Sequence, residues 1–288
     1  MTEANALSIE VLQQQLDTVF FGRGERLQYV AVIDSTNTLA MQMAQEGSAR
    51  EGFVVLTDSQ TAGRGRLGRH WVDSFGYNVL SSTVLTPHFP LSLLVMIASL
   101  AVVDTIDDVC KITATIKWPN DVLIEDRKVA GILIETTHDR SGQMLAVMGI
   151  GVNVYSYPIQ TEVEQNLVKK AITLEAACGQ RISRETYIAH LLRHIETSYV
   201  ALQQESYPFI TASASKDASN GWGPTSRLIR ERWRSRLSTL GRTIEVRQGN
   251  TVLSGVAEDV DDNGELFLRH HSGERVSITW GDIGYPTE

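Results

Sequence analysis

The chain has 288 residues, 42% of them hydrophobic and 21% charged, with a formal net charge of −8. Such a chain has enough apolar residues for a large core, and its acidity argues against a general nucleic-acid binder, which carries an excess of Lys and Arg. The two cysteines, Cys110 and Cys178, form no disulfide framework or metal motif and suit a reducing compartment. The longest apolar stretch, residues 91–103, is interrupted by Ser92 and Ser99 and reads as a buried helix. No membrane partner is therefore expected, and the cytoplasm is the simplest location.

In chain order, residues 1–26 hold one amphipathic patch, 9–21, and are too short for a helix-turn-helix domain. Residues 29–33 predict a strand. Asp34, Ser35, Thr36 and Asn37 are helix-capping types ahead of a helix over 38–46, stopped by Gly47. A strand over 53–56 leads into Gly63-Arg64-Gly65-Arg66-Leu67-Gly68-Arg69. A strand over 77–85 and a long helix over 91–109 follow. Strands are expected over 113–118, 122–124, 128–135 and 145–155, with turns at 126–127 and 139–142. Helices are expected over 163–177 and 184–204, a mobile loop over 205–226, and a basic helix over 227–237. From residue 241 the pattern changes to short strands with turns at Asn263-Gly264 and Ser272-Gly273, which fits a small antiparallel barrel of about fifty residues. The expected organisation is an N-terminal extension (1–26), a catalytic domain (27–238) and a small C-terminal β-barrel (239–288).

The glycine–arginine loop joins backbone freedom to permanent positive charge, so it is suited to closing over an anion. Gly63, Gly65 and Gly68 formally match a dinucleotide fingerprint, but loop and strand patterns follow where that fingerprint needs a helix, so the dinucleotide reading is rejected. Gly149, Gly151 and Asn153 share one face of a strand, and Gly131 interrupts another. Interior strand glycines mark either a ligand floor or tight helix-on-sheet packing. Lys117 and Lys128 flank a hairpin built on Trp118-Pro119-Asn120-Asp121. Cations gathered near a glycine floor suit a substrate pair with several anionic oxygens, as when ATP reacts with a carboxylate.

Taken together, Asp34-Ser35-Thr36-Asn37, Gln60-Thr61-Ala62-Gly63-Arg64-Gly65-Arg66, Lys117-Trp118-Pro119-Asn120-Asp121, Lys128-Val129-Ala130-Gly131-Ile132-Leu133-Ile134-Glu135 and Gly149-Ile150-Gly151-Val152-Asn153 resemble the biotin–protein ligases, also called biotin–[acetyl-CoA-carboxylase] ligases. The likeness covers roughly residues 29–285. It is to the short form without an N-terminal DNA-binding domain, so no DNA partner and no repressor activity are expected. The resemblance implies an α+β fold: a catalytic domain with a mixed sheet, like that of class II aminoacyl-tRNA synthetases, followed by a Src-homology-3-like barrel. It implies conversion of biotin and Mg-ATP to biotinyl-5′-AMP and pyrophosphate, then transfer of biotin to a lysine of a biotin carboxyl carrier domain. Relatives often pair through sheet edges, which leaves a homodimer open, and the sequence does not fix the oligomeric state.

By the same resemblance, Ser35, Thr36, Asn37 and Gln60 would hold the biotin head group. Arg64, Gly65 and Arg66 would cover biotin and the acyl phosphate. Lys128 would bridge the biotin carboxylate and the α-phosphate, and Gly131 would let biotin lie against the strand. Arg66, Arg69, Trp71, Lys117, Asn120, Asn153 and Lys128 would serve the nucleotide. Asp121 would hold magnesium or receive the acceptor lysine's proton, two roles left open. Asn37 as a helix cap and Trp71 as core are equally open. Leu67 stands where the family often has another arginine. The nearest alternative is a lipoate–protein ligase, which shares the adenylation chemistry. A further alternative is a nucleic-acid-binding module built on the loop and on Arg227, Arg230, Arg232, Arg234 and Arg236.

Overall fold

The central strands are buried on both faces, and successive side chains enter two separate cores. The computed structural model describes residues 6–155, 170–211 and 223–286. Residues 163–169 of the helix expected over 163–177, and residues 212–222 of the loop expected over 205–226, lie outside the described residues. A seven-stranded sheet has the order β1-β2-β3-β7-β6-β5-β4. Its strands are β1 Leu27–Ile33, β2 Val54–Gln60, β3 Asn78–Leu85, β4 Thr115–Lys117, β5 Asp121–Ile124, β6 Arg127–His138 and β7 Met144–Asn153. Only β1 and β2 run parallel; the other neighbours are antiparallel, so the sheet is mixed.

On β7, Leu145 and Val147 pack with Ala40 and Ala44 of helix α2, Thr36–Glu46, in a small core on one face. Ala146, Met148, Ile150 and Val152 point the other way, into the main core. That core is filled by α3, Ser92–Cys110, and α5, Arg184–Thr211, with α1, Ile9–Gln15, packed on α5. The short helix α4, Leu174–Cys178, follows Thr173, whose side chain accepts the Ala176 N–H as an N-cap. Residues 6–26 are part of this layer. Leu7, Leu12, Leu16 and Phe21 are buried in it, and Glu196 of α5 accepts the backbone N–H groups of Val19, Phe20 and Phe21.

Two local expectations change. Helix α5 continues through residues 205–211, and α6, Pro224–Arg236, begins within the segment expected to be a loop. Glu205 explains the second start, because its carboxylate accepts the N–H groups of Thr225 (2.6 Å) and Ser226 (3.1 Å) at the first turn of α6. Composition alone cannot show such a partner from another helix. The turn expected at 126–127 falls at Glu125 and Asp126, both with left-handed backbone (φ 51° and 58°).

Strands β8 Thr243–Gln248, β9 Thr251–Val260, β10 Leu266–His270, β11 Arg275–Ile278 and β12 Asp282–Gly284 form the five-stranded C-terminal sheet, in the order β11-β10-β9-β8-β12. It is bolted to the β4–β5 hairpin. Trp118 Nε1 donates to the Gly264 carbonyl at 2.8 Å, and its backbone N–H donates to Thr239 Oγ1 at 3.0 Å.

An ion pair sits inside the main core. Arg184 Nη1 donates to Asp58 Oδ1 at 2.7 Å, and the Leu7 N–H and Tyr29 hydroxyl also donate to that carboxylate. Burial, reinforced by the hydrogen bond to Asp58 and its charge, pushes the Tyr29 hydroxyl from 10.0 up to about 12. A phenol that ionises later in the folded state than in the unfolded state gives stability that is complete below about pH 10 and is lost as pH rises through about 12. The urea midpoint should therefore fall across that window. Tyr29→Phe should fall less steeply, and identical slopes would remove this assignment.

Candidate active site

The N-terminus of α2 is not capped by its own Ser35. Gln60 at the end of β2 reaches across instead, its Oε1 accepting the Thr36 N–H at 2.8 Å and the Thr36 hydroxyl at 3.1 Å. The four expected capping residues thus divide: Thr36 and Asn37 lie inside the first turn with their side chains buried against the sheet. Ser82 of β3 donates from one hydroxyl to Thr36 Oγ1 (2.7 Å) and Asn37 Oδ1 (2.6 Å) as alternatives.

The interior glycines decide how close these groups come. A Cβ at Gly149 would stand 2.3 Å from Asn37 Oδ1, and one at Gly151 would stand 2.7 Å from the Trp71 ring. At Gly131 it would stand 2.9 Å from Lys128 Nζ and 3.2 Å from Trp71. The packing reading holds at Gly149, and at Gly131 and Gly151 the close neighbours are side chains that line a cleft. Gly149 is a helix-packing glycine under α2, whereas Gly131 and Gly151 make room for Trp71 and the Lys128 ammonium at a cavity. Gly149→Ala should cost about 1–3 kcal/mol in urea unfolding through overpacking against Asn37. A change below about 0.5 kcal/mol would mean that the site relaxes freely.

These elements line an open cleft with a cavity volume of about 120 Å³. Its walls include Ser35, Thr36, Asn37, Gln60, Arg64, Gly65, Arg66, Arg69, Trp71, Asn120, Asp121, Lys128, Gly131 and, from the barrel, Asp282. Arg64 forms a two-pronged pair with Glu135 at 2.9 and 2.8 Å, and Glu135 also accepts from Asn37 Nδ2 at 2.8 Å. Lys128 Nζ lies 2.6 Å from Asp121 Oδ1 and 5.6 Å from the Trp71 ring centre. Arg69 pairs with Asp282. Arg66 donates to the Asn120 side-chain oxygen at 3.0 Å. Burial lowers the Arg66 pKa, opposed by the charges of Asp282 and Asp121. An arriving polyanion would relieve that cost, since its charge returns what solvent no longer supplies. Leu67 holds a left-handed backbone (φ 55°) and exposes its side chain at the loop tip, beside Gly68 (φ 73°).

Two of the expected residues stand outside this wall. Lys117 pairs with Asp121 across the β4–β5 hairpin, and its ammonium lies 5.2 Å from the Tyr285 ring centre. Burial lowers its pKa, against the pull of Asp121. Asn153 lies behind the site, its Nδ2 donating to the carbonyls of Lys128 (3.3 Å) and Ile172 (3.4 Å), where it fixes the backbone that carries Lys128. The Trp118–Pro119 peptide is cis. Glu135 and Asp282 were missed as site residues. Glu135 ends a quoted motif and could have been weighed with it. Asp282 meets Arg69 from 213 residues away, and nothing local announces that meeting.

Buried Trp71 Nε1 has no hydrogen-bond partner among the described residues. Two carboxylates, Asp121 and Asp282, stand among the cations. Such a set suits a magnesium-bound polyphosphate, since Mg²⁺ is commonly held by one or two carboxylates together with phosphate oxygens. Three of the five arginines offered for the nucleic-acid alternative are turned to other uses. Arg232 pairs with Asp104 of α3, Arg234 with Asp259 of β9, and Arg230 is buried.

The sheet, its cationic cleft and the appended barrel define an acyl-activating ligase of the biotin and lipoate type: residues 29–153 match the Biotin/lipoate A/B protein ligase family. Residues 239–283 match the Biotin protein ligase C terminal domain. The bifunctional ligase/repressor BirA of Bacillus subtilis is 33% identical over 253 residues, covering 87% of this chain and 71% of that protein. The biotin–[acetyl-CoA-carboxylase] ligase of Paracoccus denitrificans is 34% identical over 254 residues, covering 86% and 95%. The biotin protein ligase of Aquifex aeolicus, solved with biotin and ATP, shares the fold with a TM-score of 0.70 at 23% identity, covering 90% of this chain and 97% of that one. The chain belongs to the biotin protein ligase family.

Proposed function

We propose that this chain activates biotin with Mg-ATP and transfers it to a lysine of a biotin carboxyl carrier domain, meeting ATP and acceptor in the cytoplasm. The observation that carries this reading is the convergence of Arg66, Arg69 and Lys128 on one glycine-lined cleft beside Ser35, Thr36 and Gln60. In the first step a biotin carboxylate oxygen bonds to the α-phosphorus as the bond to the β-phosphate oxygen breaks, and pyrophosphate leaves with the electron pair. Lys128 and Arg66 bring two anions together and stabilise the charge that builds on the phosphoryl oxygens. Asp282 and Asp121 would hold the magnesium that accompanies the nucleotide, with Asp121 also placed to take the acceptor's proton, and Ser35, Thr36, Asn37 and Gln60 orient the neutral head group. In the second step the acceptor amine adds to the acyl carbon and gives its proton to Asp121 or to water, and the bond from the acyl carbon to the phosphate oxygen breaks so that AMP leaves with the electron pair.

Biotinyl-AMP is a mixed anhydride, so its retention depends on a cover that keeps water out. The loop carrying Arg64 and Arg66 is that cover. Arg66 ties it to Asn120 of the β4–β5 hairpin, so Arg66→Gly should still form biotinyl-AMP but release it several-fold faster. Quantifying free biotinyl-AMP after rapid filtration tests this, and wild-type retention would refute it.

The acceptor reaction is tested by mass spectrometry of a carrier domain after incubation with this protein, biotin and Mg-ATP. One added biotin on a single lysine is the expected product. Lipoate added in competition should leave the yield unchanged, and lipoylation in place of biotinylation would overturn the substrate assignment.

A further inference from the structure

His190 and His194 are four apart on α5, which places both rings on one face of the helix. Asp108, two residues before the end of α3, faces them across the helix pair. Asp108 Oδ2 lies 2.9 Å from His194 Nε2 and 3.3 Å from His190 Nδ1. All three potential ligand atoms fall within 4.8 Å of one another. The cluster belongs to the α3–α5 layer, on the opposite side of the sheet from α2, and the proposed ligase reaction uses none of it.

We propose that Asp108, His190 and His194 form a binding site for a borderline divalent metal of the Zn²⁺ class, clasping the end of α3 to α5. Imidazole nitrogens and a carboxylate are the donors such ions prefer, and paired histidines one helical turn apart present two of them from a rigid element. At zinc–ligand distances near 2.0–2.1 Å, tetrahedral ligand atoms stand about 3.3 Å apart. The His190 separation from Asp108 Oδ2, 3.3 Å, matches that spacing, and the His194 separation, 2.9 Å, is a little shorter. The side chains keep 36% (Asp108), 30% (His190) and 25% (His194) of their surface open to solvent, so an ion has a path in.

Arg193 is the competitor. Its Nη2 lies 2.9 Å from Asp108 Oδ2 and 3.1 Å from His190 Nδ1, where a cation would sit. Its other terminal nitrogen is 3.7 Å from Asp17 Oδ2, so the guanidinium has a second anion to turn to when a metal arrives. An ion-pair stitch between helices would use the same four side chains, but only a metal site gains from removing Arg193.

The test uses the full chain, stripped with chelator and titrated with Zn²⁺ by calorimetry and with Co²⁺ by visible absorption. Wild type should bind one equivalent with a Co²⁺ d–d band. His190→Ala/His194→Ala should weaken binding by at least about 100-fold, beyond the range expected for outer-shell changes. Arg193→Ala should bind more tightly than wild type, a gain that misfolding cannot imitate. His270→Ala/His271→Ala, at the other histidine pair, should bind like wild type. Unaltered affinity in the His190/His194 variant, or weaker binding in Arg193→Ala, would overturn the site.

Discussion

Lys128→Ala should reduce the rate of biotin-dependent pyrophosphate release by about 10²–10³-fold while leaving the protein folded. That range is typical for removal of one preorganised group from developing oxyanion charge. The expectation rests on where the ammonium is held. Asp121 fixes it at 2.6 Å, and the missing side chain at Gly131 leaves room for it above β6. Asn153 braces the Lys128 carbonyl from behind. A surface ion pair of this kind contributes little to stability, so the thermal midpoint should change by no more than a few degrees. The loss should appear mainly in the turnover rate at saturating ATP and biotin, because the ammonium acts on charge that builds in the transition state. If Lys128 did no more than pair with Asp121, the variant would keep its rate within about threefold of wild type, below the effect of losing such a group.

Asp58→Ala should destabilise the fold by about 3–5 kcal/mol, because it removes the counter-charge of a buried guanidinium. Asp58 is 0% exposed and Arg184 is 3% exposed. The same carboxylate receives the Leu7 N–H and the Tyr29 hydroxyl, so one side chain joins the N-terminal segment, β1, β2 and α5. Urea unfolding measures the loss. Replacing both partners by apolar residues, Asp58→Leu with Arg184→Met, should recover the part owed to the unpaired guanidinium but not the part owed to the Leu7 N–H and Tyr29 hydroxyl, which still lose their acceptor. A loss below about 1 kcal/mol in the single variant would show that the pair is solvated in practice. Asp58 lies two residues before Gln60, so the same anchor steadies the strand end that caps α2 at the biotin-binding wall we propose.

The strands that build the cleft were legible because their signals are local. Short apolar runs with β-branched residues marked β2, β3, β6 and β7, and interior glycines on β6 and β7 pointed to close approach by a ligand or by another element. What comes close was not legible. Nothing in the sequence tells whether Gly149 meets a ligand or Asn37, or that Trp71 covers both Gly131 and Gly151. Asp34–Asn37 read as capping residues because their types fit a helix start. The cap itself comes from Gln60, a residue on another strand. The segment 205–226 read as a loop because its Ser, Ala, Gly and Pro content resembles loops, yet Glu205 starts a helix from a distance.

The amino-acid sequence by itself determined the family, the order of elements and the chemistry on offer: a glycine–arginine cover, two hairpin cations and a glycine-lined strand pair. Those properties reside in residue types at short spacing, and short-range sterics and charge suffice to express them. Only the tertiary structure decided which cation faces which carboxylate. Arg64 meets Glu135, Arg69 meets Asp282 of the barrel, and Lys117 is turned to Tyr285 rather than into the cleft. Pairings of that kind depend on positions tens to hundreds of residues apart. The Coulomb energy of a pair is set by distance and burial, and neither exists until the chain has packed.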